Sequence, residues 1–198
     1  MKDENYNVAG WAAFASALLF LPIMGLTLYS DFEQSSSLQI GSFKTMSLLL
    51  AICLDVASKG LLLYAFLRFR HLLNHRYGFH AVDKLILIVY VGGASIGVLS
   101  YLVRMLPEFK VPLIVTAVML TVVCGILGIL YATRLLRLNG NLNGLLKPLA
   151  YVSMMGSICF TLVVLAPVGL VLMVASTVIL GLVLLRDGQD EFEELEVV

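Results

Sequence analysis

LLLAICLDVASKGLLLYAFL, residues 48–67, is a bilayer's width of apolar sequence with an acid, Asp55, and a base, Lys59, near its middle. At ~1.5 Å per residue, about twenty residues span a ~30 Å hydrocarbon core. Period-two alternation is absent, and the run is about twice a barrel strand of ~10 residues, so the segment reads as a helix. Each charge costs about 2.5–3.5 kcal/mol at the centre of an inserted helix, which calls for a partner or a task.

The same reading extends outward along the chain. Further apolar runs place six spans at about residues 8–29, 45–67, 84–106, 111–133, 146–165 and 168–185. The last two share one stretch, 145–185, which as a single helix would be ~60 Å long, about twice the membrane core. Ala166-Pro167 is the expected break, because proline removes a helix donor and disfavours helix just before it. Composition agrees: 60% of the 198 residues are hydrophobic and 13% charged, against about a quarter charged in soluble domains. The expected fold is all-α: a polytopic membrane protein of six transmembrane helices in a bundle, arranged as three helical hairpins.

Lysine and arginine orient the bundle. Lys2, Arg68, Arg70, Arg76, Lys84, Arg134, Arg137, Lys147 and Arg186 fall on one side, and Lys44, Arg104 and Lys110 on the other. That asymmetry places both termini in the cytoplasm. Residues 1–7 are then a short cytoplasmic N-terminus and 8–186 a single transmembrane domain. Residues 187–198 form an acidic cytoplasmic tail, expected to be disordered because like charges in a short run repel. The first span lacks a basic n-region and a clear small-residue cleavage site, and reads as uncleaved. The zero formal net charge offers no basic face for nucleic acid. A prokaryotic inner (plasma) membrane is the expected location, with the lipid bilayer and either a second copy or other membrane subunits as partners.

A weak repeat supports the hairpins: Leu63-Tyr64-Ala65 precedes Arg68 as Leu130-Tyr131-Ala132 precedes Arg134, and Tyr90-Val91 matches Tyr151-Val152. An interfacial aromatic followed by inside charge explains the pattern equally well.

Several clusters could carry chemistry. On a helix, Asp55 and Lys59 share a face, and Lys59 leans back toward Asp55 in the favourable acid-first order. The pair is either self-neutralised and structural, or a substrate- or ion-binding site with Tyr101 and Arg104 of span three as further members. Arg104 can also snorkel to the outer interface. His71 and His75 are four apart, with His80 close by and Asp83 beyond, a spacing compatible with a metal site. The neighbouring Arg68, Arg70, Arg76 and Tyr77 instead suggest a headgroup-contacting extension of span two. Gly93-x-x-x-Gly97 and Ser153-x-x-x-Ser157 are small-residue patterns that let helices approach closely. Cys53, Cys124 and Cys159 read as small apolar residues.

No hydrolase, zincin or phosphate-loop motif is present, and no cofactor is expected. Three functional expectations remain, in this order. The first is a non-enzymatic membrane protein acting through helix association in a complex or oligomer. Next comes a small transporter or ion-coupled carrier using Asp55 and Lys59. The third is a membrane-embedded enzyme.

Overall fold

The computed structural model describes the backbone of residues 5–35, 41–138 and 144–196, and the side chains of 6–27, 46, 48–106, 108–138 and 144–186. Among the described residues there are six α-helices: α1 (Asn5–Ser35), α2 (Gly41–Tyr77), α3 (Asp83–Met105), α4 (Lys110–Leu135), α5 (Leu146–Thr161) and α6 (Ala166–Glu196). A short 3-10 turn, Pro107–Phe109, joins α3 to α4. Five of the helices are long and apolar enough to cross a membrane. The exception is α5, whose 16 residues reach only ~24 Å.

Helix ends differ from the sequence expectation for identifiable reasons. The expected fifth span, 146–165, loses its last turn because α5 stops at Thr161 and a tight turn precedes α6. Pro167 does not break a helix here; it sits in the first turn of α6, where the missing N–H would have had no partner anyway. The turn is made by Val163 at φ 48°, a left-handed conformation that β-branched residues rarely adopt. α2 runs well past residue 67 to Tyr77. Gly78, at φ 59°, ends it by letting the Phe79 N–H reach back to the Leu73 carbonyl at 3.1 Å. Helical backbone of α6 continues to Glu196, into the acidic segment expected to be disordered.

Consecutive helices pair: α1 with α2, α3 with α4, and α5 with α6. The pairs join through α1 against α6 and α4 against α5, giving the lateral order α2, α1, α6, α5, α4, α3. Contact between α2 and α3, which would close this order, is thin. Small residues allow the close crossings. A Cβ on Gly125 of α4 would lie 2.9 Å from both the Ser157 carbonyl oxygen and the Thr161 nitrogen of α5. A Cβ on Gly10 of α1 would lie 3.0 Å from the Gly181 carbonyl oxygen of α6. Such contacts are the expected glue where lipid offers helices no hydrophobic reason to associate.

Packing is uneven along the bundle. The buried core joins Ala9 and Ala13 of α1, Phe69, Leu72 and Leu73 of α2, and Leu85 and Ile86 of α3. Tyr131 and Leu135 of α4, Leu146, Leu149 and Ala150 of α5, and Leu180, Val183 and Leu184 of α6 complete it. All lie toward the end that carries the basic loops. Elsewhere the outer faces show large apolar side chains, among them Trp11, Leu18, Val56, Val98, Val111, Met119 and Val171. Apolar surface on that scale belongs against lipid.

Because a Cβ at residue 125 meets backbone, which cannot swing aside, Gly125→Ala is expected to destabilise the protein by about 1–3 kcal/mol. Gly93→Ala, with nothing within 4 Å of its Cβ position, should be neutral or slightly stabilising. Thermal unfolding of the two variants in the same detergent measures the difference.

Candidate functional site: a charged pair between two cavities

Lys59 is the central residue of the 37-residue α2, and Asp55 lies one turn before it. Their side chains form the i,i+4 ion pair that the spacing allows, between Lys59 Nζ and Asp55 Oδ2. Neighbouring helices complete the surroundings. Tyr101 of α3 lines the α2–α3 seam together with Asp55 and Lys59. Tyr90, also on α3, donates to the Lys59 backbone carbonyl at 2.7 Å. From α2, Ser58 donates to the Ser16 carbonyl of α1 at 3.2 Å, and the two serine hydroxyls are 3.1 Å apart. Hydrogen bonds therefore tie α2 to both neighbours at the level of the pair, including across its thin contact with α3.

Glycine shapes the pocket for the ammonium group. A Cβ on Gly97 would collide with Lys59 Nζ and lie 3.6 Å from Asp55 Oδ2. The missing side chain at residue 97 is thus the notch that holds the lysine tip. Gly93, one turn earlier, borders open space.

That space is a cavity of about 230 Å³ walled by α1, α2, α3, α5 and α6. Asp55, Ser58 and Lys59 face it from α2, Ser16 and Phe20 from α1, and Tyr90 and Gly93 from α3. Phe160 of α5 and Leu170, Met173 and Val174 of α6 close the far side. A second cavity of about 250 Å³ occupies the α2–α3 seam, lined by Ile52, Val56, Val98, Tyr101 and Met105 together with the same Asp55 and Lys59. The pair therefore stands in the wall of both. Toward the basic end, the first cavity gives way to the buried core around Phe69, Leu72 and Leu135.

The structure brings Asp55, Lys59 and Tyr101 together, with Arg104 near enough to act electrostatically. It does not gather the histidines. His71 stacks on Tyr6 with ring centroids 6.4 Å apart and is tilted against His75 at 5.7 Å. His80 instead turns to Asp83, with Nδ1 3.5 Å from Oδ2. Among the described residues no group of three His, Cys, Asp or Glu could hold a metal ion. Asp83 belongs to a clamp on the α2–α3 turn: its Oδ2 accepts from Asn74 Nδ2 at 2.9 Å and Arg70 Nη2 at 3.4 Å, and Arg70 Nε completes the ion pair 3.1 Å from Oδ1. Ser153 and Ser157 are both buried. Ser153 meets Ser176 of α6 at 2.7 Å, while Ser157 fills the space beside Gly128 of α4.

Sequence reasoning missed Ser16, Tyr90, Phe160 and Thr177 as parts of one site. Ser16, Tyr90 and Thr177 each had a weak signal, as polar residues within apolar spans, and Phe160 had none. All four lie on segments distant in sequence that helix packing alone brings together.

Removing one charge leaves the other facing a largely apolar wall. Asp55→Asn and Lys59→Met are each expected to lose about 1–3 kcal/mol, less than a fully buried pair would, because the side chains remain 19% and 27% exposed. The double variant should recover most of that loss, and a double-mutant cycle from unfolding in detergent measures the coupling.

No family model, curated protein or solved structure matches this chain.

Proposed function

We propose that the protein is a small carrier of a cell membrane, of the prokaryotic inner-membrane type, whose ligand site is the cavity beside Asp55 and Lys59. One observation supports this reading above the others: a mid-helix ion pair lines a half-open cavity bordered by five helices and also a second, open cleft in the α2–α3 seam. A purely structural pair has no need of space around it. Intramembrane charges that border a cavity mark ligand and ion paths, and transporters commonly bind at the membrane midplane between packed helices. Among the described residues the buried core gathers toward the basic end, while the thin α2–α3 contact leaves the seam as a route to the pair.

In this reading the chain crosses the membrane six times, with both termini in the cytoplasm. The short α5 completes a crossing together with the turn at 162–165. Backbone N–H groups of Leu162, Val163, Val164 and Ala166 there find partners on Ile158, Phe160, Leu162 and Val163, as a turn in an apolar medium requires. Single cysteines at His80 and Arg137, both exposed, should react with a membrane-impermeant thiol reagent only from the cytoplasmic side, and one at Glu108 only from the opposite side, in a background without the three native cysteines. Any other pattern overturns the six-span topology.

A second reading, association with a further membrane helix, draws support from the thin α2–α3 contact, which leaves Val56 and Val98 exposed. It predicts a stoichiometric partner retained in mild detergent, with the seam protected.

Flux tests the carrier reading. Vesicles containing the protein, offered a mixture of small solutes, should accumulate at least one of them above protein-free vesicles. Asp55→Asn and Lys59→Met, folded and inserted to the same level, should abolish that accumulation. Solute uptake indifferent to both substitutions would sink the proposal.

A further inference from the structure

The chemistry of the cavity wall restricts what it can hold, given the carrier reading on which this step rests. Among the described residues, each hydroxyl hydrogen facing the cavity is already engaged. Ser58 donates to the Ser16 carbonyl at 3.2 Å, and the Ser16 and Ser58 hydroxyls meet at 3.1 Å. Tyr90 donates to the Lys59 carbonyl at 2.7 Å, and Thr177 to the Met173 carbonyl at 2.9 Å. Beyond these, Asp55 and Lys59 are the charged groups in the wall, and most of the remainder is apolar, including Phe20, Leu62, Phe66 and Val174.

A ligand of single charge is poorly served by this arrangement. A cation drawn to Asp55 meets the Lys59 ammonium, and an anion drawn to Lys59 meets the Asp55 carboxylate. Either one, by splitting the pair, orphans the other charge in an apolar wall. A ligand carrying both an ammonium and a carboxylate replaces both partners at once and leaves no charge unmatched. Local geometry permits the exchange. Lys59 is a flexible stem whose tip rests in the Gly97 notch, and Gly93 beside it borders open space.

Size and polarity narrow the class further. At ~30 Å³ per water-sized group, a cavity of about 230 Å³ accommodates about eight non-hydrogen atoms. With the hydroxyl hydrogens spent, a third polar group on the ligand would find hydroxyl oxygens able to accept but no free hydroxyl donor, and so would be only partly satisfied. We infer that the site takes a small net-neutral zwitterion with one ammonium, one carboxylate and an apolar body, such as an aliphatic α-amino acid.

Equilibrium binding to the full-length protein in lipid nanodiscs tests this. L-valine is the probe, set against isovalerate (the acid without the amine), isobutylamine (the amine without the acid) and L-threonine, which exchanges a methyl for a hydroxyl. Valine should bind at least about tenfold more tightly than each of the three. Asp55→Asn combined with Lys59→Met, a neutral replacement that leaves no orphan charge, should remove valine binding while the protein stays folded. Absence of valine binding, or binding of any comparator within tenfold of valine, overturns the inference. Should valine fail while some other solute still moves in a pair-dependent way, this inference falls and the carrier reading stands. Should no solute depend on the pair, both fall.

Discussion

An ion pair at the middle of α2 is the constraint around which the other helices are arranged. Asp55 and Lys59 satisfy each other through one helical turn, which lets α2 enter an apolar medium without a net charge. Their remaining valences still need company. Tyr101 lines the seam beside the pair, Gly97 supplies the space for the ammonium, and Tyr90 ties the lysine's own carbonyl to α3. Ser16 and Ser58 do the equivalent on the α1 side. The result is a helix held to both neighbours by polar contacts at mid-depth, where lipid provides no competing partner.

Among the described residues, packing then separates the bundle into two zones. At the basic end, Phe69, Leu72, Leu73, Leu135, Leu180 and Leu184 fill the interior with almost no exposure. Farther along, the same helices leave half-open cavities on either side of the charged pair. A charged pair walled in by dense packing would serve as a fastener. One flanked by space can exchange partners, because a flexible lysine has somewhere to go. This difference moves the favoured reading from helix association, expected first from sequence, to a carrier.

Several features were legible in the residues themselves. Helical class and the pairing of Asp55 with Lys59 follow from spacing along one segment, so no knowledge of neighbours was needed. Helix ends were less legible: Pro167 signals a discontinuity but not on which side of it the chain turns, and the turn fell at Val163. Gly93-x-x-x-Gly97 reads in sequence as a helix contact, yet Gly97 receives a lysine tip and Gly93 faces open space. Spacing reports that a residue is small and on a given face; it says nothing about what arrives opposite. The histidines illustrate the same limit, since two at i and i+4 share a face while the third follows its own loop to Asp83.

By itself, then, the sequence determined an all-helical chain with membrane-length apolar helices and a self-neutralising charged pair, because hydrophobicity, length and helical periodicity are local properties. Tertiary structure alone decided that α2 and α3 meet thinly, that Ser16, Tyr90, Phe160 and Thr177 share one wall with the pair, and that the pair borders two cavities. Those outcomes depend on which helices lie side by side, and side-by-side placement is set by the summed fit of small residues and buried side chains along whole helices rather than by any one segment's pattern.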